Sequence, residues 1–231
     1  MIQEERMMDY SCAHCRIQSC LHGSMENLPK NCPMHDDAFF RQVKQEYLKP
    51  ENNRFYQVSS AVEALGYCRW PRLREVAEFA ARMGYKKLGL AFCIGLSKEA
   101  EIVSRILREQ GFEVVSVVCK TGGISKREVG VSEACLTTVD GKLIEPTPFQ
   151  CELLGEAMCN PIAQAELLNR SGTEFNICLG LCVGHDSLFY KYCKALTTTL
   201  VTKDRVTGHN PVAAIYCADT YFEGRNKTTD D

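Results

Sequence analysis

Three short, almost wholly apolar runs constrain this chain most: Lys87–Phe92, Glu113–Val118 and Phe175–Leu179. A strand that is apolar along its whole length is covered on both faces, as strands of parallel sheets between helices are. Helical patterns separate the runs. Ser97 stands where an N-cap belongs, ahead of a helix over 98–110 that Gly111 ends. Pro161 opens a helix over 161–168, another follows over 186–192, and Pro211 opens a last one. The β-branched run Thr197–Thr202 reads as a fourth strand. Strand–helix alternation with short connections implies an α/β, Rossmann-like open parallel sheet of about four strands flanked by helices.

Ahead of the sheet the pattern is helical. Phe39, Phe40, Val43 and Tyr47 fall at helical spacing over 36–48, and Lys49-Pro50 stops that helix. A second helix covers 55–65. A third begins at Pro71 and closes at Gly84, with Leu73, Val76, Ala77, Phe79 and Ala80 on its apolar face. Residues 10–36 differ: they carry four cysteines, few large apolar residues and no period. Such a segment cannot bury enough surface to order itself. The expected organisation is a small Cys-rich metal-binding segment over 1–36 and an α/β domain over 37–231. Within that domain, 37–84 is a helical lead-in and 85–216 the sheet core.

Fourteen cysteines in 231 residues need a chemical reason. Residues 1–10 are acidic and polar, without the apolar core of a signal peptide, so the chain is expected in the cytoplasm. There, metal ligation or redox chemistry explains clustered cysteines better than disulfides do. The net charge of −2 argues against nucleic acid or an anionic membrane as partner. No apolar run approaches the roughly 18 residues that cross a bilayer. The tail 226–231 reads as frayed.

Two cysteine groups stand out. Cys12, Cys15, Cys20 and Cys32 have the spacing C-x2-C-x4-C-x11-C. Four thiolates suit a tetrahedral zinc ion or the corners of a 4Fe-4S cluster. Cys32-Pro33 is the dipeptide that ends ferredoxin cluster runs, whereas structural zinc sites more often pair two C-x2-C turns. His14, His22 and His35 are polar loop residues able to replace a cysteine. The second group follows from the sheet. Ligands of open α/β sheets bind beyond the carboxyl ends of the strands, where strand order reverses. Cys93, Cys119 and Cys182 each follow a strand, and Cys159 precedes the helix that Pro161 opens. Glycines beside three of them let backbone N–H groups turn toward a cluster sulfur or an anion. Cys178 lies inside a strand and reads as core, and Cys68, Cys135, Cys151, Cys193 and Cys217 as packing residues.

Polar residues fall at the same edge: Lys120, His185, Asp186, Asp204, Arg205, His209 and Asn210. His185 with Asp186 could move protons at a bound substrate, which makes them the catalytic candidates. Asp186 and Asn210 also stand where helix caps belong.

The stretches Cys159-Asn-Pro-Ile-Ala-Gln-Ala-Glu-Leu-Leu-Asn169, Gly180-Leu-Cys-Val-Gly-His-Asp-Ser-Leu-Phe189 and Lys203-Asp-Arg-Val-Thr-Gly-His-Asn-Pro211 resemble a prokaryotic family, domain of unknown function 1847. The likeness spans nearly the whole chain. It implies a predicted metal-binding protein and carries no reaction.

The expectation is therefore a cysteine-ligated metalloprotein, an iron–sulfur protein with an N-terminal four-cysteine site and a second cluster at the sheet edge. Its work would be electron transfer or sulfur and small-molecule chemistry, with a small-molecule substrate or redox partner. Three edge ligands would leave an iron open, and four would close it. The alternatives are a zinc-stapled module that binds a small anion, and a thiol enzyme with Cys159 as nucleophile.

Overall fold

A computed structural model describes residues 10–137 and 141–228. The acidic stretch 1–9 and the last three residues of the tail lie outside the described residues. Two compact units are distinguished, Met1–Ala64 and Leu65–Asp231.

The first unit holds three single turns of 3-10 helix, at Cys12–His14, Ser19–His22 and Pro33–His35. Helix α1 (Asp37–Leu48) and most of α2 (Pro50–Gly66) complete it. Asp36 caps α1 by accepting the Phe39 N–H at 2.9 Å. Lys49-Pro50 separates the two helices, as proline chemistry requires, and α2 starts at Pro50 itself, earlier than its apolar pattern.

The second unit is an α/β fold. Helix α3 (Arg72–Met83) leads into β1 (Lys87–Phe92), then α4 (Ser97–Glu109) and β2 (Glu113–Val118). A long connection containing α5 (Pro148–Gly155) reaches α6 (Pro161–Arg170) and β3 (Phe175–Leu179). Helix α7 (His185–Tyr192), β4 (Thr197–Val201) and α8 (Pro211–Tyr216) follow. The four strands are all parallel, in the order β2-β1-β3-β4. One expected detail differs: Ser97 is not the N-cap of α4. Leu96 takes that position, and Ser97 Oγ donates to the Ile94 carbonyl at 2.7 Å instead.

Register divides the sheet into two faces. Leu88 pairs with Phe175 and Leu90 with Ile177, and these buried residues share one face. Helix α3 packs there, with the Phe79 ring 5.2 Å from Phe175. Gly89, Ala91, Val115, Val117, Asn176 and Cys178 form the other face, under α6 and α7. That face is built from small residues at its centre, so α6 comes in close. A Cβ on Gly89 would collide with Asn176 Oδ1 and lie 2.8 Å from Leu168 Cδ1. The chain leaves β1 for β2 on one side and places β3 on the other. Ligands of such sheets bind where those paths part, here beyond the carboxyl ends of β1 and β3.

Replacing Gly89 by Ala is expected to lower stability by about 1–3 kcal/mol, the usual cost of overpacking. Gly155→Ala, where a Cβ meets nothing within 4 Å, is expected to change it by less than about 1 kcal/mol. Urea unfolding of both variants checks the close approach of α6. Equal midpoints would refute it.

Candidate functional site

The ladders run one residue past each strand. Cys93 N–H donates to the Leu179 carbonyl at 3.2 Å, and Cys119 N–H to the Phe92 carbonyl at 2.9 Å. The two-residue period of a strand then sets Cys93 on the face of Ala91 and Cys119 on the face of Val117, which is the α6 face. Neighbours on adjacent strands, they are buried, at 7% and 2% exposure.

Helix α6 delivers the third thiol. Asn160 N–H donates to the Cys119 carbonyl at 2.7 Å, while Asn160 Oδ1 caps the helix through Ala163 N–H. Gln164, fully buried, donates to the carbonyls of Phe92 at 3.2 Å and Val117 at 2.8 Å. These bonds hold the residue before the cap, Cys159, over the ends of β1 and β2. The Cys119 thiol lies near enough to those of Cys93 and Cys159 to influence the ionisation of both. The fourth thiol, Cys182, follows β3 after a left-handed turn at Gly180, where a Cβ would collide with Leu96 Cδ1.

Cations and N–H groups surround the sulfurs. Lys203 Nζ lies 3.5 Å from Cys93 Sγ, and Arg205 Nη2 lies 3.1 Å from Cys182 Sγ. Arg205 also feels the charges of Cys93 and Cys159, so all four sulfurs share one electrostatic neighbourhood. Ile94 N–H donates to Cys119 Sγ at 3.3 Å. Lys120 bonds Glu156 at 2.8 Å and the Ala157 carbonyl. Burial works against its charge, yet Glu156 and Cys159 outweigh that and raise its pKa.

The thiols divide accordingly. The hydrogen bond from Cys119 brings Cys93 down to about 5, helped by Gly95 N–H and Lys203. Cys159 falls to about 4, through Cys119 first and then His185. Cys119, the donor between them, is pushed up, and burial adds to this. Bonding to Cys159 raises His185 above its ordinary value. Its Nδ1 is buried with no hydrogen-bond partner among the described residues.

Of the polar residues expected at this edge, Lys120, His185 and Arg205 reach the sulfurs. The others serve the backbone. Asp186 is not a cap: it lies inside α7 and its Oδ1 accepts the N–H of Ser187 at 2.7 Å. Asn210 occupies the N-cap position of α8 without a capping bond. Asp204 Oδ1 accepts the N–H groups of Val206 and Thr207, and His209 Nδ1 accepts that of Asp204. This closed loop carries Lys203 and Arg205 to Cys93 and Cys182. Lys203, Asn160 and Gln164 were not singled out by sequence. Position just after β4 was the signal available for Lys203. Cys178 is core, at 1% exposure, and burial lifts its thiol to about 11. Cys193 packs beside it, whereas Cys68, Cys135 and Cys151 are exposed and are not packing residues.

In the first unit, Cys12, Cys15 and Cys32 line one cleft with His14, and Cys20 is not among its lining residues. Among the described residues, no group of three or more His, Cys, Asp or Glu side chains is placed to hold a metal ion as it stands.

A family model described as protein of unknown function (DUF1847) matches residues 32–200. The chain belongs to the DUF1847 family. The matched span contains all four edge cysteines of this DUF1847 chain and begins at Cys32. The chain is 42% identical over 210 residues to the uncharacterized protein MJ0455 of Methanocaldococcus jannaschii, covering 89% of this chain and 93% of that one. No solved structure matches it.

With any metal removed, iodoacetamide at pH 6 is expected to label Cys159, already ionised there, and to spare Cys178 until the protein unfolds. Peptide mass spectrometry reads this. Labelling of Cys159 that sets in only near pH 8–9, about where an unperturbed thiol ionises, would overturn the assigned order of ionisation.

Proposed function

We propose that the sheet edge is a thiolate metal centre held by Cys93, Cys119, Cys159 and Cys182, and that its occupant is an iron–sulfur cluster. The observation that carries this is the convergence of four thiols from four chain segments beneath two cations that are directed at sulfur. Lys203 and Arg205 each face a thiol, with no carboxylate paired to either among the described residues. Four thiolates around a cluster core leave a net negative charge, and two cations offset it in a half-buried site. N–H groups directed at Cys119 and Cys93 are the bonds that tune such clusters. A cluster would supply electron transfer or, with one iron open, Lewis acidity. His185, bonded to Cys159 and with a free Nδ1, would then hold or move a proton beside the bound ligand. The N-terminal cysteines form a second metal site in this reading.

A second reading, a zinc-stapled module binding a small anion, draws on the spacing of the sulfurs. Cys119 acts on both Cys93 and Cys159, and a single tetrahedral zinc ion would draw such sulfurs to about 3.8 Å apart. Lys203 and Arg205 would then face the anion. No helix among the described residues is long and apolar enough to cross a membrane.

Iron, zinc and acid-labile sulfide per chain, measured on protein purified without oxygen, separate these. A Cys159→Ala/Cys182→Ala variant is expected to lose about four irons and four sulfides relative to wild type. Zinc without sulfide, unchanged in the variant, would refute the edge cluster. Replacing Lys203 or Arg205 by Met removes a charge that favours the reduced, more negative cluster. Each change is expected to shift the reduction potential to more negative values while iron content is kept. An unchanged potential would separate these cations from the centre.

A further inference from the structure

Residues 10–36 form a fold without a core. Their three turns bury no residue at all, and their four cysteines are free thiols. Ordering the backbone of so many residues costs about 1–2 kcal/mol each, and no apolar burial offsets it. A cross-link must supply the difference, and a bound metal is the cross-link that free thiols provide.

A cleft gathers three of these thiols, which are not placed to ligate one ion as they stand. This cleft, of about 350 Å³, is lined by Cys12, Cys15, Cys32, His14, Arg16 and Asn31, among others. Cys15 N–H returns to the Cys12 carbonyl at 3.1 Å, closing one turn with a sulfur at each end. Asn31 Nδ2 donates to Ser11 Oγ at 2.7 Å and pins the Cys32 loop beside that turn. His35 Nε2 pairs with the Pro29 carbonyl at 3.0 Å and fixes the far side of the same loop. Cys20 belongs to the following turn, which begins after a left-handed Gln18, and it is exposed.

We propose that this cleft binds one soft divalent metal ion through Cys12, Cys15 and Cys32, with the fourth position open to an exchangeable small thiol and Cys20 left out. This rests on the N-terminal part of the proposed function and is independent of what the sheet edge holds. An ion and three sulfurs fill little of the cleft, whose volume falls in the range of small-ligand pockets, about 300–1,000 Å³. Three thiolates on a divalent ion leave one negative charge, and Arg16 stands in the same wall to offset it. A site with three protein ligands is the open kind, whereas four thiolates would close it.

The test uses full-length protein carrying Cys159→Ala/Cys182→Ala, kept reduced with a phosphine and titrated with cobalt(II) without oxygen. One cobalt per chain with sulfur-to-metal charge-transfer absorption is expected. In that background Cys15→Ala is expected to weaken binding by more than the roughly 10–100-fold that loss of a supporting contact costs. Cys20→Ala is expected to leave affinity unchanged, and added 2-mercaptoethanol to shift the visible bands. Equal losses from Cys20→Ala and Cys15→Ala, or bands indifferent to the thiol, would show a closed four-cysteine site and overturn the inference. Cobalt bound only when Cys159 and Cys182 are restored would overturn it too, while leaving the edge centre standing. Cobalt bound here, with wild-type protein taking up no second metal, would support it and remove the edge reading instead.

Discussion

One buried amide holds the edge together. Gln164 reaches from α6 to the last carbonyl of β1 and the next-to-last of β2 at once, and Asn160 adds a bond to Cys119 from the start of the same helix. The Phe92 carbonyl also accepts the Cys119 N–H, so the amide adds a second bond to it and supplies one to the Val117 carbonyl in a dry interior. Satisfying them with α6 fixes the helix along its axis. Cys159, one residue before the cap, is thereby positioned by the hydrogen-bonding needs of the sheet rather than by its own contacts. Gly89 and Ala91 are the other half of this constraint, since α6 could not lie so near a larger surface.

The electrostatics follow from that placement. Two thiols and the third that they flank cannot all ionise without help. The central one keeps its proton, and the flanking two lean on Lys203, Lys120 and His185. The loop after β4 commits its own polar groups, Asp204 and His209, to internal bonds, which leaves its cations directed at sulfur. A charged residue that braces a loop and one that faces a ligand are therefore different members of a single short segment.

Much of the fold was legible. β1 and β3 are covered on both faces and appear in the sequence as apolar runs with their observed ends. β2 has the expected ends but is an edge strand with Glu113 and Ser116 exposed, so its apolar run did not mark burial on both faces. The edge was legible as well, because strand ends fix where ligands gather. What sequence did not reveal is what depends on contacts across long separations. Ser97 and Asp186 look like caps by type, yet the chain enters α4 and α7 without giving either the capping geometry. Lys203 and Gln164 carry no local pattern and act only through partners more than forty positions distant. Exposed Cys68, Cys135 and Cys151 show that apolar character alone does not place a cysteine in a core.

The origin of the edge thiols in four separate segments has a temporal meaning. Chains emerge from synthesis from the N-terminus onward, and domains fold as units. Cys12 to Cys32 lie close together in sequence, so their sulfurs can meet while the rest of the chain is unmade. Cys93, Cys119, Cys159 and Cys182 meet only after β3 has been inserted beside β1, the last large loop closure of the sheet centre. A nascent chain therefore displays its first thiols long before its second set exists as a place, and the two groups become available at different moments.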